Sequence, residues 1–338
     1  NGSAANKQRG AAQSVELRQT VPAPIVAVAW SKAEGVAGSP DADYSLYLDL
    51  VYADGTQLWG QSAAFEVGSH DWQRRQVVVV PEKPVQRVSM HLLLRSHAGK
   101  AWFRDPELRV MEAPQGACLF DGLPVAIQEV AQEGFQVRDV AAGTGFVRIL
   151  NETSGLFLKV NQSSQHGATM FDVELRATTG KDRAVTLVYA IPVASAGLRW
   201  LHDPRQMMGV ESGREYTHTS RFRVGANGRL SRYPFAAVAS REQGSGLGID
   251  LARPAFYRIG YNAASGELFL AFDLGLAPEK PAARLRFCRF DFDAGGEFRA
   301  ALQRYYEVFP EAFVCRTPRQ GLWMPFAKIS AVKGWEDF

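Results

Sequence analysis

Apolar and polar residues alternate with a period of two along much of the chain, which is typical of half-buried β-strands. In segment 45–52, Leu46, Leu48 and Leu50 share one face, and mostly polar residues share the other. Segment 87–95 repeats this arrangement. Short polar turns separate such segments, so the pattern predicts antiparallel sheets with one packed face and one face in water.

The second half of the chain continues the alternation. Strands are predicted at 146–150, 156–160, 171–178, 185–191, 246–251, 255–261, 268–274 and 284–292. The first two flank a short polar turn at 151–155, which predicts a hairpin between them. Asn227-Gly228 is a further strong turn signal.

Segment 297–309 has a helical repeat instead. Its apolar positions form a single stripe, Phe298, Leu302, Tyr305 and Phe309. Two glycines precede the segment and a proline ends it, as expected for a helix. The apolar segment 321–326 follows, with only twelve residues after it. A third domain is therefore expected to begin at about 319.

The composition fits a soluble globular protein and limits the classes of partner that are expected. Of the 338 residues, 46% are apolar and 22% are charged. The net charge of +3 is small and spread along the chain, so no nucleic acid partner is expected. No run of about 18 apolar residues occurs, so no membrane-spanning helix is expected. Three cysteines without metal-type spacing predict neither a disulfide framework nor a zinc site.

The strand pattern breaks around 111–124, where prolines and glycines interrupt it. We place a domain boundary there, because the chain is longer than a usual single core. The predicted domains are 1–113, 114–318 with the helix at 297–309, and 319–338 as the start of a third domain.

Two phrases in the first half carry a resemblance to a known family. They are Trp30-Ser31-Lys32-Ala33-Glu34 and Gly99-Lys100-Ala101-Trp102-Phe103-Arg104-Asp105-Pro106-Glu107-Leu108. Both resemble a jelly-roll carbohydrate-binding module, and the likeness covers about residues 8–111. It implies a structural calcium near Asp105, although Arg104 stands where the family often has an aspartate; no other cofactor is expected. It also implies core positions for Trp30, Trp72 and Trp102.

The second half carries a more diffuse resemblance. Its features are Ser245-Gly246-Leu247-Gly248-Ile249-Asp250, Arg253-Pro254-Ala255-Phe256 and Phe272-Asp273-Leu274-Gly275-Leu276. Together with the helix, they are similar to the large β-sandwich that precedes the catalytic barrel in several glycoside hydrolase families. The resemblance implies a barrel downstream, whose first strand would be 321–326. The expected fold is all-β, with two antiparallel β-sandwiches, a jelly roll and then a larger one, and one C-terminal helix.

The outer face of the first sandwich carries the candidate binding residues. Sugar binding needs an aromatic plate for the C–H face of a ring and polar groups for its hydroxyls. Strand parity places Tyr47 away from the leucine face, and His91 and Arg95 point outward from another strand. Tyr44 begins the Tyr47 strand, and Trp59 follows a nearby turn. These five residues form the predicted carbohydrate site; the alternative is that the aromatics are rim packing.

Three functional hypotheses follow from these patterns. The leading one is a non-catalytic accessory region of a glycoside hydrolase, secreted or located at the cell surface or in the periplasm. It would bind a polysaccharide or oligosaccharide and support the downstream catalytic domain. The second is a polysaccharide lyase or hydrolase with its site in the second sandwich, for example at Tyr216, His218 and Arg221. The third is a structural or adhesion protein of the surface.

Other motifs have simpler explanations. Asp291 and Asp293 lie about 6.6 Å apart on one strand face, a spacing that glycosidase carboxylates use, but their place before two glycines favours a turn role. The repeat Gly244-x-Gly246-x-Gly248 leads into a strand, whereas phosphate binding needs a helix N-terminus. The arginine-rich and aromatic stretch 214–235 fits an anionic glycan, but solvated strand faces are the favoured interpretation.

Overall fold

Nearly all regular structure consists of β-strands that pair antiparallel with their neighbours. The computed structural model describes residues 8–20, 22–79, 81, 83–112, 117–120, 123–126, 132–140, 145–194, 196–218 and 230–316. Within these residues the predicted all-β class is confirmed, with two antiparallel sandwiches and one α-helix near the C-terminal end.

Seven strands build the first sandwich. They are β1 (Gln8–Glu16), β2 (Ile25–Val36), β3 (Tyr44–Tyr52), β4 (Gln57–Ala64), β5 (Gly68–Val79), β6 (Val85–Arg95) and β7 (Lys100–Val110). They form a four-stranded sheet in the order β1-β6-β3-β4 and a three-stranded sheet in the order β5-β2-β7. Leu46, Leu48 and Leu50 of β3 are fully buried between the sheets, as the alternation predicts.

A hairpin and fourteen further strands follow. They are β8 (Ala117–Phe120), β9 (Leu123–Ala126), β10 (Gly134–Asp139), β11 (Val147–Arg148), β12 (Glu152–Thr153), β13 (Leu156–Gln165), β14 (Ala168–Ala177), β15 (Arg183–Pro192), β16 (Arg199–Asp203), β17 (Gln206–Gly209), β18 (Glu215–Thr217), β19 (Phe235–Ala239), β20 (Gln243–Ile249), β21 (Tyr257–Asn262), β22 (Glu267–Leu276) and β23 (Ala282–Asp293). The second sandwich packs a six-stranded sheet, β11-β10-β15-β22-β21-β18, against an eight-stranded sheet, β12-β13-β14-β23-β20-β19-β16-β17.

The hairpin predicted between 146–150 and 156–160 is wrong. Strand β11 pairs with β10 in the six-stranded sheet, whereas β13 belongs to the eight-stranded sheet. The tight turn instead joins β12 to β13 through Ser154 and Gly155, whose φ angles of 48° and 70° suit a two-residue hairpin loop. The chain therefore crosses between the two sheets just before the turn.

The predicted helix is confirmed as α1 (Glu297–Val308), with short 3₁₀ turns at Ala294–Gly296 and Pro310–Phe313. It covers the outer face of the eight-stranded sheet. Phe298, Tyr305 and Phe309 of the predicted stripe are buried there, and Leu302 is partly buried against the same cluster. The ring of Tyr305 also donates its hydroxyl hydrogen to the carbonyl of Ile249, at 2.7 Å.

Each sandwich has an apolar core of its own. The buried residues of the first core come from β2, β3, β5 and β6 and from Phe65. The buried residues of the second core lie between Phe135 and Phe287 in the sequence. The predicted boundary at 113/114, Asn227-Gly228 and the predicted third domain lie outside the described residues. In the described part of the chain, no helix is long and apolar enough to cross a membrane.

Candidate functional site

The outer face of the four-stranded sheet brings together most of the predicted binding residues. On β3 the leucines point inward, so Tyr47 and Asp49 point outward. Strand β6 lies beside β3, and its register sets Tyr47 directly opposite His91. Arg95 lies farther along the same face of β6. Alternation and register thus place side chains from distant parts of the sequence on one surface.

Tyr47 is the centre of this surface. The Tyr47 and His91 rings meet edge to face, with centroids 5.7 Å apart and an interplanar angle of 84°. The Arg95 guanidinium lies 5.7 Å from the centre of the Tyr47 ring and forms an ion pair with Asp43, N to O 2.8 Å. Tyr47 is therefore held in one orientation by a cation and an imidazole, with part of the side chain in solvent.

Carboxylates balance the cationic groups of this face. Nε2 of His91 lies 3.9 Å from Oδ2 of Asp49, and no hydrogen-bond partner for that nitrogen occurs among the described residues. The other oxygen of Asp49 accepts the backbone N–H of Gly60 at 2.8 Å. The surface is thus polar and close to neutral, with carboxylate oxygens, an imidazole and a guanidinium that can bridge neutral hydroxyl groups.

Trp59 lies on β4, at the edge of the same sheet. The pairing of β3 with β4 shifts between Leu48 and Leu50, and Gly60 adopts a φ of +73° there, as in a β-bulge. The indole of Trp59 is 52% exposed. Since bulges re-aim side chains, this one explains how a large apolar ring faces water next to the Tyr47 surface.

Tyr44 is the predicted site residue that the structure places elsewhere. It is fully buried between the sheets, where its hydroxyl lies 2.7 Å from the Ser31 hydroxyl, and burial raises its pKa. Tyr44 has the same parity as the inward leucines of β3, so the alternation itself places it in the core. A glycan on the outer face cannot contact it.

Asp105 has surroundings that do not favour a cation. Its backbone has a φ of +51°, its side chain is exposed, and the Arg104 guanidinium lies 3.5 Å from its carboxylate. Nowhere in the described ranges do three or more His, Cys, Asp or Glu side chains form a metal-binding group. The calcium implied by the family resemblance stays a prediction, with no described ligand set.

Three tryptophans expected in the core lie on the outer face of the three-stranded sheet. Ala29, Ser31 and Ala33 of β2 are buried, so Trp30 between them points outward. The Arg104 guanidinium crosses the sheet and lies 5.4 Å from the Trp30 ring and 4.3 Å from the Trp72 ring.

Trp102, on β7, is 43% exposed on that same face. The expectation of core positions was therefore wrong for all three residues. For Trp30, the alternation along β2 was enough to predict the outward orientation, since the small residues Ala29 and Ser31 on either side of it point inward.

Two of the three residues named for a lyase or hydrolase site, Tyr216 and His218, have little access to a polymer. Tyr216 is buried, and its hydroxyl accepts the N–H of Glu211 and donates to the Gly209 carbonyl. His218 is buried among aromatic rings, and Arg221 lies outside the described residues.

The two strand-end aspartates have structural partners. Asp291 accepts a hydrogen bond from the Ser245 hydroxyl at 2.7 Å. Asp293 caps the 3₁₀ turn by accepting the Gly295 N–H at 2.8 Å. The turn role favoured by the sequence therefore fits Asp293 well.

Comparison with known sequences gives partial matches. No protein-family model matches the chain. It is 35% identical over 101 residues to the tRNA nuclease WapA of Bacillus subtilis strain 168. It is 34% identical over 100 residues to the tRNA(Glu)-specific nuclease WapA of Bacillus subtilis subsp. natto. Each alignment covers 28% of this chain but 4% of the relative, so the nuclease activity is not carried over to this chain.

Comparison with solved structures gives distant likenesses. The alpha-N-acetylgalactosaminidase NagBb from Bifidobacterium bifidum, as a quadruple mutant, aligns at a TM-score of 0.32 and 10% identity over 53% of this chain and 34% of that chain. The N-terminal CBM22-1-CBM22-2 tandem domain of Xyn10C from Paenibacillus barcinonensis aligns at 0.23 and 12% identity over 82% of this chain and 74% of that chain. At TM-scores this low, the function of this chain has to be inferred from the geometry of its own residues.

Proposed function

We propose that this chain is a secreted, non-catalytic accessory region that binds a polysaccharide on the outer face of the four-stranded sheet. The observation that supports this most is the cross-strand group of Tyr47, His91 and Arg95, next to the half-exposed indole of Trp59. An aromatic plate beside charged and neutral hydrogen-bonding groups matches a sugar ring, which has an apolar C–H face and a rim of hydroxyls.

The breadth of this surface favours a chain over a single sugar. Strands β1, β6, β3 and β4 lie side by side about 4.8 Å apart, so the face extends across four strands. Binding would be reversible and weak for each sugar unit. The family resemblance of the second half adds the expectation that a catalytic domain lies downstream, and this region would then hold that domain at its substrate.

Affinity electrophoresis in gels that contain one polysaccharide each tests the site. We expect retardation of the unaltered chain in at least one gel, and dissociation constants about fivefold higher or more for Trp59→Ala and Tyr47→Ala, since one stacked ring contributes about 1 kcal/mol or more. Trp102→Ala is the matched control, because it removes an indole of similar exposure from the other sheet.

Two results would contradict the proposal. Retardation by a neutral polysaccharide that survives both substitutions would move the site elsewhere, and the absence of retardation across a broad polysaccharide panel would favour a structural or adhesive role. New reducing ends or unsaturated uronates in the same incubations would instead indicate a lyase or hydrolase.

A further inference from the structure

A groove opens at one end of the second sandwich, where neither family resemblance places a site. Its volume is about 850 Å³, within the size range of small-ligand sites. One wall is the loop from β20 to β21, with Pro254, Ala255 and Phe256. The other wall is the turn from β22 to β23 with the first residues of β23, and Arg176 at the end of β14 completes the lining.

The floor of this groove is made of small and apolar residues. Ala255, Leu274 and Ala283 are partly buried against the second core, and Gly275 adds no side chain. Phe256 stands above them with 57% of its surface exposed. Strand β21 begins at the next residue, so the phenyl ring is anchored at a strand start and presents its apolar surface to the groove.

The charges of the groove are not balanced. Arg176 and Arg284 share a single carboxylate, Glu174, at 2.7 Å and 2.8 Å. The Arg284 guanidinium, and then that of Arg176, lower the pKa of Glu174, so this carboxylate is ionised and already engaged by both. One carboxylate cannot neutralise two guanidinium groups, and the Arg284 side chain is 75% exposed.

The remaining charges leave the groove net positive. Asp273, which also lines it, is held by the buried guanidinium of Arg258, Nη2 to Oδ1 3.1 Å, and by the Thr186 hydroxyl at 2.9 Å. The charge of Asp273 is therefore compensated within the protein. The exposed Lys280 and Glu279 offset each other on the turn from β22 to β23.

We propose that this groove binds an acidic polysaccharide, with one uronate ring on Phe256 and its carboxylate held by Arg176 and Arg284. A uronate carries its carboxylate on the pyranose ring itself, so an apolar C–H face and a negative charge lie within one rigid unit. An aromatic plate beside two guanidinium groups matches that unit, and arginine is suited to paired hydrogen bonds with carboxylates. Acidic peptides lack such a ring face.

Calorimetric titration of the full chain with tetramers of galacturonate, mannuronate and glucuronate tests this site. We expect binding of at least one tetramer, weakening as the salt concentration rises. Phe256→Ala and Arg284→Ala should each reduce that affinity about tenfold or more, and the tetramer of the matching neutral sugar should bind at least tenfold more weakly than the acid.

Two control variants remove comparable groups that lie away from both proposed binding surfaces. Trp102→Ala and Arg109→Ala each remove an exposed ring or guanidinium from the three-stranded sheet of the first sandwich and should leave uronate binding unchanged. Thermal unfolding curves of all variants confirm that they are folded.

Four outcomes would overturn the assignment to this groove. They are no binding of any uronate tetramer, equal binding of the neutral tetramer, equal binding of tetraglutamate, and uronate binding that Trp59→Ala abolishes while Phe256→Ala does not.

Discussion

His218 is a buried imidazole in an aromatic environment. Its ring lies 4.6 Å from that of Trp200, 5.1 Å from Tyr233 and 5.7 Å from His202, centroid to centroid. Burial lowers its pKa to about 3, the positive charges of neighbouring groups add to the shift, and the nearby His202 backbone opposes it slightly. The side chain is therefore neutral in the folded protein at any pH near neutrality.

This imidazole makes stability depend on pH in a specific direction. Between pH 6.5 and about 3, the unfolded chain binds a proton at His218 that the folded chain does not. The free energy of unfolding should therefore fall by up to about 1.4 kcal/mol per pH unit as the pH decreases through this window. Urea unfolding at several pH values should show that His218→Phe removes this part of the acid sensitivity.

Carboxylates also titrate in that window, so the informative quantity is the difference between variant and parent. The exposed His166→Asn serves as the control and should keep the parent's profile. A His218→Phe variant whose profile runs parallel to that of the parent would contradict the assignment.

Single residues were predictable where strand parity alone decides their position. Parity placed Tyr47 outside and the leucines of β3 inside, and applied to Tyr44 it would have placed that residue in the core as well. The exposure of Trp59 depends on a bulge between β3 and β4, and the bridge from Arg104 to Trp72 crosses three strands. Both depend on pairing between distant segments, which a local pattern does not contain.

At the scale of elements, the glycine repeat of β20 explains how α1 packs on the sheet. A Cβ atom at Gly246 would lie 2.4 Å from the Phe290 ring, and one at Gly248 would lie 2.7 Å from the Tyr305 ring. Both distances are far below van der Waals contact. The glycines of this repeat therefore leave the space that aromatic rings occupy between the sheet and the helix. This structural role agrees with the interpretation that the repeat is not a nucleotide site.

Gly246→Ala should consequently destabilise the protein. The added methyl group has to displace a buried aromatic ring, which typically costs about 1–3 kcal/mol. Gly275→Ala is the matched control, because it lies on a strand, has no atom within 4 Å of the added Cβ and should change stability little. The midpoints of urea unfolding, compared at an unchanged dependence on urea concentration, measure the stability of both variants. An unchanged midpoint for Gly246→Ala would show that the Phe290 ring can move aside without a cost in free energy.

The existence of elements was easier to predict than their partners. Segments with clear alternation became strands, and the apolar stripe of 297–309 became α1. The pairing of β11 with β10 was missed because both sides of the 151–155 turn have strand character, and only the packing of the two sheets decides which sheet receives each segment. Periodicity indicates which face of a strand is buried, but it does not indicate which strand lies next to it in the sheet.

At the scale of the whole molecule, the first core is assembled from its own seven strands. Leu48 of β3, Val77 of β5 and Leu92 of β6 all belong to it. A fragment of residues 1–112 should therefore fold alone and unfold cooperatively in urea, with near-ultraviolet circular dichroism from its ordered aromatic residues. Leu48→Asp in this fragment should abolish the transition, since it buries an unpaired charge. A gradual, non-cooperative loss of signal in the unaltered fragment would contradict the predicted domain boundary.

The ion pair of Arg258 with Asp273 also bears on how the second sandwich assembles. Arg258 of β21 reaches Asp273 of β22, and Thr186 of β15 donates to the same carboxylate. If the register of β21 shifted by one residue, each of its side chains would move to the opposite face of the sheet, and the Arg258 guanidinium would enter the apolar core without a counter-charge. A misaligned hairpin would therefore be less stable by several kcal/mol. Arg258, Asp273 and Thr186 together thus favour a single register among the three neighbouring strands.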